Sequence, residues 1–425
     1  MARRREALRV ALVGVNAPGY RSLATAYLKA AVAAEPRLDA ALMRLDFDAS
    51  VDPWWIAYRL LALDPAPDVV AMPVMCWTAR QVYEIVRVLK QARPELIVIL
   101  GGPEVGPIAE EVLSAQPAVD AVVRGEGEVT LPELLVALDR GGDPCAVPGV
   151  SARDHGEVVS GPDREAVSDL DSIPSPFLDT PWVPSDGSAY IETYRGCPHR
   201  CSYCFEGKGS TRIRSFSWER IAADVAAVAS VPGLRAYSFI DPVFNLTPDR
   251  LSRLADICEP YARNGIRLHT IEVDIERIDD VAARELVRAG VASVETGPQS
   301  VGAAALSECR RSFDADRFTA GVEACKRAGI AVECDLIVGL PGDTVDDVVR
   351  GLEFVTSVDP AVLQVSTLHV LPGTDLWARA GELGLVFDPE PPHELIATRD
   401  IGYADLRRLE VHGVALGAQL RAANR

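Results

Sequence analysis

Histidine is scarce in this chain: there are six in 425 residues, and none precedes His155. A metal held by the first third would therefore have no imidazole ligand from that region. No run of 18 or more apolar residues occurs, so a membrane span is not expected. Positive charge is in short supply, with 43 Lys and Arg against 61 Asp and Glu and a net charge of -18. Phosphate backbones draw on concentrated cationic side chains, so nucleic acid is disfavoured as a partner and a solvated acidic surface is expected. The opening MARRREALRV has a basic cluster but no signal-peptide cleavage pattern, and internal repeats and low-complexity tracts are missing. The expected compartment is the cytoplasm, where the nine cysteines are reduced thiols rather than disulfides.

What is present is globular, 48% apolar and 24% charged, with length for about two to three domains. Over the first 140 residues, short β-branched runs alternate with amphipathic stretches, the pattern of a parallel sheet covered by helices. Five strands are expected: Leu8 to Val15, Ala41 to Phe47, Asp68 to Val74, Glu95 to Gly102 and Ala118 to Gly125. A flavodoxin-like sheet is the economical topology, with ligands at the carboxyl ends of its strands. Those ends read Asn16-Ala17-Pro18-Gly19, Met75-Cys76-Trp77, Gly101-Gly102-Pro103-Glu104 and Gly125-Glu126-Gly127-Glu128. Residues 141–188, dense in Pro and Gly and with a hairpin-like piece around Asp154-His155-Gly156, read as a linker. From Ala189, six strand and helix units (YIETYR, AYSFID, RLHTIEVD, ASVETG, AVECDLIVG, VLQVSTLHVL) suggest a partial (β/α)6 TIM-like barrel over 189–374. Residues 375–425 read as a polar helical segment. A helix from Asp314 to Ala328, stopped by Gly329, puts Phe318, Val322 and Cys325 on one face.

The run YRGCPHRCSYC places Cys197, Cys201 and Cys204 on one tight loop with no fourth partner nearby. Iron-sulfur clusters are held by thiolates, usually four of them, so three cysteines on a four-iron cluster leave one iron open to a small molecule. A zinc knuckle is the competing reading. Structural zinc sites are closed by four ligands at other spacings, and His199, inside the loop, reads as a loop residue rather than the fourth ligand.

At these residues the chain resembles the radical S-adenosylmethionine (SAM) enzymes. The resemblance implies that SAM chelates the open iron and is cleaved to methionine and a 5'-deoxyadenosyl radical. It also implies that the backbone of Tyr203 faces the adenine. IDPVFN (Ile240 to Asn245), VETGPQS (Val294 to Ser300) and DLIVGLPGDT (Asp335 to Thr344) are similar to the family's segments around SAM. Cluster ligation by Cys197, Cys201 and Cys204 is thereby implied, with SAM held by Tyr203, Phe205, Asp241, Glu295, Thr296, Gly297 and Gln299. Gly339 and Leu340 would border the adenine or its groove. Glu272 and Asp274 would face the same rim, or else serve as capping and surface residues.

A five-stranded sheet ahead of such a barrel resembles the cobalamin-binding branch of that family, on Met72 to Gly106 and Val122 to Leu135. Many cobalamin proteins bind cobalt through the histidine of an Asp-x-His-x-x-Gly loop; here that loop reads Val15-Asn16-Ala17-Pro18-Gly19, so no His ligand comes from this domain. The lower corrin face is then open, water-bound, or covered by Asn16, Met75, Cys76 or Trp77. Trp77 either lies under the corrin or packs the start of the next helix, while Trp54 and Trp55 read as core or rim. Gly101, Gly102, Pro103, Glu104, Gly125 and Glu126 complete the expected cobalamin set.

The resemblance implies methylation of an unactivated carbon of a small molecule or biosynthetic intermediate, by way of methylcobalamin and the deoxyadenosyl radical. Non-methylating cyclisation or rearrangement, and a non-catalytic cobalamin or metal carrier, are the alternatives. The implied cofactors are a 4Fe–4S cluster, SAM and cobalamin; the implied partner is an electron donor such as flavodoxin or ferredoxin.

Overall fold

A computed structural model of the chain describes residues 7–154, 156–178, 189–206 and 212–423. The chain divides into two compact units, Met1–Asp186 and Gly187–Arg425.

In the first unit, β1 (Leu8–Asn16), β2 (Ala40–Asp48), β3 (Val69–Pro73), β4 (Ile97–Gly101) and β5 (Ala121–Val123) pair in parallel. The strand order is β2-β1-β3-β4-β5, continued by β6 (Val150–Asp154) and β7 (Glu157–Ser160). The helices are α1 (Leu23–Ala33), α2 (Pro53–Leu61), α3 (Ala79–Ala92), α4 (Ala109–Ala115) and α5 (Gly127–Asp139). β1 shows why the sheet is covered on both faces. Ala11, Val13 and Val15 join a core with Ile56, Leu60, Val82, Ile85 and Leu89 of α2 and α3, whereas Val10 and Leu12 join Val32 of α1 and Leu131, Leu134 and Leu135 of α5. An apolar run without alternation is what two helical layers require of a strand.

Within residues 141–188, expected as a linker with a hairpin, β6 and β7 extend this sheet: β6 runs antiparallel to β5, and β7 antiparallel to β6. Backbone pairing of Ala121 with Ala152 and Val123 with Val150 binds the hairpin to the sheet edge. Of the turn expected around Asp154-His155-Gly156, His155 lies outside the described residues, as do residues 179–188 of the same stretch.

The second unit contains β8 (Tyr190–Ile191), β9 (Tyr194–Arg195), β10 (Arg214–Ser215), β11 (Ala236–Phe239), β12 (Arg267–Glu272), β13 (Val291–Gln299), β14 (Ala331–Val338) and β15 (Val362–Thr367). Its main sheet has the order β15-β14-β13-β12-β11-β8, all parallel, each strand beside its predecessor in the chain. This is the walk of a barrel left open, with α6 (Trp218–Ala229), α7 (Pro248–Arg263), α8 (Asp280–Ala289), α9 (Ala303–Glu308), α10 (Ala315–Arg327) and α11 (Val345–Ser357) as crossovers. α10 matches its expectation: Asp314 caps it, and Phe318, Val322 and Cys325 are buried.

The residues after Gly373 are less detached than their sequence suggests. They form α12 (Asp375–Leu383), the short pair β16 (Val386–Phe387) and β17 (Leu395–Ala397), and α13 (Tyr403–Ala423). α13 lies against β15 through glycine: a Cβ on Gly417 would stand 2.5 Å from the Leu363 carbonyl oxygen. Leu395, Ile401 and Leu406 are fully buried. All nine cysteines are free, and Cys145, Cys258, Cys309, Cys325 and Cys334 are buried, as small apolar side chains are. No described helix is long and apolar enough to cross a membrane.

Candidate active site

The cysteine loop leaves β9, which pairs antiparallel with β10. Gly196 begins it at φ +97°, and a Cβ there would meet the Arg212 carbonyl oxygen at 3.0 Å, so the close approach requires glycine. Ser202, fully buried between two of the motif cysteines, fixes the loop on two sides. Its N–H donates to the Cys309 carbonyl (3.1 Å), its hydroxyl to the Glu308 carbonyl (3.3 Å), and its own carbonyl accepts from Leu376 N–H (3.0 Å). Burial pushes the Cys197 thiol up to about 11 and the Cys204 thiol up to about 12, and the charge of neighbouring motif cysteines acts in the same direction on both. Such thiols are neutral at pH 7, and a bound metal replaces their protons. Among the described residues no three His, Cys, Asp or Glu side chains stand together as a ready metal cage. The fit to a 4Fe–4S cluster rests on the donor set: three sulfurs from one loop, near enough to feel each other's charge.

Beside the loop, a cavity of about 270 Å³ opens at the carboxyl ends of β12, β13 and β14. Parallel register puts Glu272 beside Glu295 and Glu295 beside Glu333. Desolvation in the cavity pushes Glu272 up to about 7, helped by the charge of Glu295, although part of this side chain reaches solvent. Asp335 is pushed up to about 8 by burial and then by Glu295, to which it hydrogen-bonds. The upward shift favours the protonated form of Asp335, as donor towards Glu295. Strand β13 breaks register between Thr296 and Gln299, and Gln299 takes φ +64°. The bulge is possible because Gly297 has no side chain: a Cβ there would lie 2.3 Å from the Asp335 carbonyl oxygen.

Two groups bridge loop and cavity. His199 lies 3.8 Å from the Asp274 carboxylate, which also pairs with Arg277 at 2.9 Å. Asn245 holds the Asp274 backbone from both sides, donating to its carbonyl (2.8 Å) and accepting from its N–H (2.9 Å). Arg311 reaches from the cavity wall to Cys201, Tyr203 and Gly297.

Of the residues expected to hold SAM, Glu295, Thr296, Gly297 and Gln299 line the cavity, as do Glu272 and Asp274. Tyr203 adjoins it through its hydroxyl, 3.4 Å from Arg311. Phe205 is half-buried and lies just before residues 207–211, which are outside the described residues. Three of the expected residues do not line this cavity. Asp241 is 1% exposed and faces inward, accepting from Thr193 N–H (2.8 Å) and lying 3.7 Å from Arg250. Arg250 in turn stacks on Tyr194 and Trp218. Gly339 meets the carboxyl-terminal segment, since a Cβ would stand 2.3 Å from Leu395 Cδ2, and Leu340 is buried at 1% exposure. These three shape the unit's core rather than the cavity wall. Arg311 and the cavity-facing role of His199 were missed, and Asp335, although it opens the DLIVGLPGDT segment, was not named as a site residue; Arg311 stands in a CRRS run that carries no motif.

In the first unit, Asn16 and Met75-Cys76-Trp77 flank the point between β1 and β3 where the strand order reverses. The Asn16 amide is committed to Asp46 Oδ1 (3.0 Å), which also accepts from Ser22 N–H. Met75 is half-buried in a turn closed by Thr78. Burial pushes the half-buried Cys76 thiol up to about 11, with the charge of Glu104 adding, so it is a neutral thiol. Trp77 is 63% exposed, so it does not pack the next helix; Trp54 and Trp55 are also exposed, at the rim rather than in the core. Gly102, at φ +104°, passes so near β3 that a Cβ would lie 2.8 Å from the Val74 carbonyl oxygen, and Gly101 and Pro103 beside it are half-buried. Gly125 is exposed at φ +73°. Two members of the expected set face inward: Glu104 is 2% exposed, and the Glu126 carboxylate accepts from Val167 N–H at 2.6 Å. An exposed indole among glycine-rich strand ends fits a broad apolar corrin face.

Residues 191–355 match the radical SAM superfamily and residues 9–135 match the B12 binding domain family. The cobalamin-dependent radical SAM methyltransferase TokK of Streptomyces tokunonensis is 27% identical over 333 residues, covering 73% of this chain and 48% of TokK. The anaerobic magnesium-protoporphyrin IX monomethyl ester cyclase of Rubrivivax gelatinosus is 23% identical over 338 residues, covering 76% of this chain and 60% of the cyclase. The chain thus spans about half to three fifths of the length of these two relatives. Among solved structures, the radical SAM methyltransferase TsrM of Kitasatospora setae, with tryptophan and a SAM analogue bound, superposes with a TM-score of 0.77 at 19% identity, over 94% of this chain and 88% of TsrM. With a B12-binding sheet followed by a radical SAM barrel, the chain belongs to the cobalamin-binding radical SAM enzymes, whose cofactors are a 4Fe–4S cluster, SAM and cobalamin.

Proposed function

We propose that the chain methylates an unactivated carbon of a small molecule or biosynthetic intermediate, with electrons from a flavodoxin or ferredoxin. The observation that carries the reading is a three-cysteine loop beside a carboxylate-lined cavity, on a chain that also holds a B12-binding sheet. When bound, the cluster and SAM supply one-electron cleavage and a radical that takes hydrogen from substrate, while cobalamin supplies the methyl group. The protein's part is positional. Cys197, Cys201 and Cys204 offer three sulfurs and leave one iron for SAM. Ser202 keeps the loop from yielding. Asn245 sets the Asp274 carboxylate at the cavity edge. Burial and the charge of Glu295 raise the Asp335 carboxyl, which favours a hydrogen-bond donor next to an acceptor on the cavity floor.

The relatives' names favour methylation, and the cyclase gives a second reading, radical ring formation on the same two domains. Anaerobic incubation of the reconstituted enzyme with methyl-labelled SAM, a reductant and a small-molecule extract separates them. Methylation predicts 5'-deoxyadenosine together with the label in a product of correspondingly higher mass. Deoxyadenosine with an unlabelled product would point to cyclisation. No deoxyadenosine at all would leave only a carrier.

A further inference from the structure

The segment after α9 wraps the cysteine loop. Glu308 and Cys309 offer their carbonyls to Ser202. Arg310 then takes φ +53°, a left-handed conformation uncommon outside glycine, and its guanidinium pairs with Asp375 at 2.9 Å. Asp375 directly precedes Leu376, whose N–H donates to the Ser202 carbonyl. The left-handed residue turns the chain back on itself, and the Arg311 N–H donates to the Leu306 carbonyl at 2.8 Å. The Arg311 side chain is thereby sent towards the loop. Its Nη1 donates to Cys201 Sγ (3.7 Å) and to the Tyr203 hydroxyl (3.4 Å), while Nη2 donates to the Gly297 carbonyl oxygen (2.5 Å) in the bulge of β13.

One planar guanidinium therefore joins a cluster-ligand sulfur to the strand end that lines the cavity. We infer that Arg311 is a positioning residue that fixes the Cys201 sulfur against β13 and raises the reduction potential of the cluster. The inference rests on the cluster assignment above. Reduction adds negative charge to the cluster and its sulfurs. A fixed cation that donates N–H to one of those sulfurs stabilises the reduced state more than the oxidised one. Lysine keeps the charge but is a single-point donor on a flexible stem, so it cannot hold the sulfur and the Gly297 carbonyl in one rigid fork.

The test is a dye-mediated potentiometric titration, followed by electron paramagnetic resonance, of reconstituted wild-type, Arg311→Lys and Arg311→Gln proteins. Iron and sulfide are counted in each. Both variants should hold the wild-type complement of iron and sulfide and titrate at more negative potentials, Arg311→Gln by the larger shift. Wild-type potentials in both fully loaded variants would overturn the inference. Should Arg311→Gln assemble no cluster, Arg311→Lys decides: a negative shift supports the role, and the wild-type potential ends it. A wild-type chain that takes up no cluster would instead overturn the assignment on which the inference rests.

Discussion

The two units are built on the same plan, parallel strands with helical crossovers and irregular segments at the carboxyl ends, yet they present opposite chemistry there. The first unit's ends offer backbone and apolar surface: glycines at Gly102 and Gly125, an exposed Trp77, a neutral Cys76 thiol, and polar side chains such as Asn16 and Glu126 already bonded within the fold. The second unit's ends offer charge: Glu272, Asp274, Glu295 and Asp335 around a cavity, with Arg311 and His199 facing them. A shared topology fixes where a ligand can sit, and the side chains at the strand ends decide what kind.

The comparison can be broken most directly at the cysteine loop. Cys201→Ala should reduce SAM cleavage to background and lower bound iron, read by deoxyadenosine and iron assays; an active, fully iron-loaded variant would remove the charged unit's chemistry from this loop. Next in size is Asp241, buried and bonded to Thr193. Removing one partner of a buried charge pair costs about 3–5 kcal/mol, so Asp241→Ala should shift the denaturation midpoint strongly while the folded fraction binds SAM as wild type. Weaker SAM binding with unchanged stability would restore the ligand role. The apolar unit is tested by Trp77→Ala: losing a large apolar contact worth about 1–2 kcal/mol should weaken cobalamin binding roughly tenfold or somewhat more in an absorbance titration. Unchanged affinity would mean that Trp77 is not under the corrin.

The smallest effect concerns pH. Asp335 binds its proton more tightly folded, about 8 against 3.8, and Glu272 moves in the same direction, by less because its side chain is exposed to solvent. The stability tied to those protons is full below pH 4 and is lost as pH rises towards 8. Cofactor-free protein should therefore melt a few degrees lower at pH 8.5 than at pH 5. Asp335→Asn should flatten that slope, and an identical slope in the variant would show that the cavity carboxylates are less desolvated than their positions imply.

Much of this was legible in the residues. The five β-branched runs of the first sheet became β1 to β5 because a strand buried on both faces must be apolar without alternation. The cysteine spacing put three sulfurs on one loop because residues this close in sequence need no tertiary help to share it. Other features were hidden. The hairpin around Asp154-His155-Gly156 was expected, but its attachment to the first sheet was not, because only the pairing of β6 with β5 distinguishes it from a linker. Asp241 belongs to a motif segment, and nothing local reveals that Thr193 and Arg250 turn it inward. α13 reads as a polar tail because its contact with β15 is made by glycine, a residue without an apolar signature.

The sequence by itself determined the two sheets, their order along the chain and the three sulfurs, because periodicity, burial pattern and short-range spacing are local properties. Only the tertiary structure decided that Asp335 meets Glu295 across adjacent strands, that Gly297 admits the Asp335 carbonyl, and that Arg311 returns 110 residues along the chain to touch Cys201. Those contacts depend on strand register and on one left-handed residue, and neither is written in the composition of any single segment.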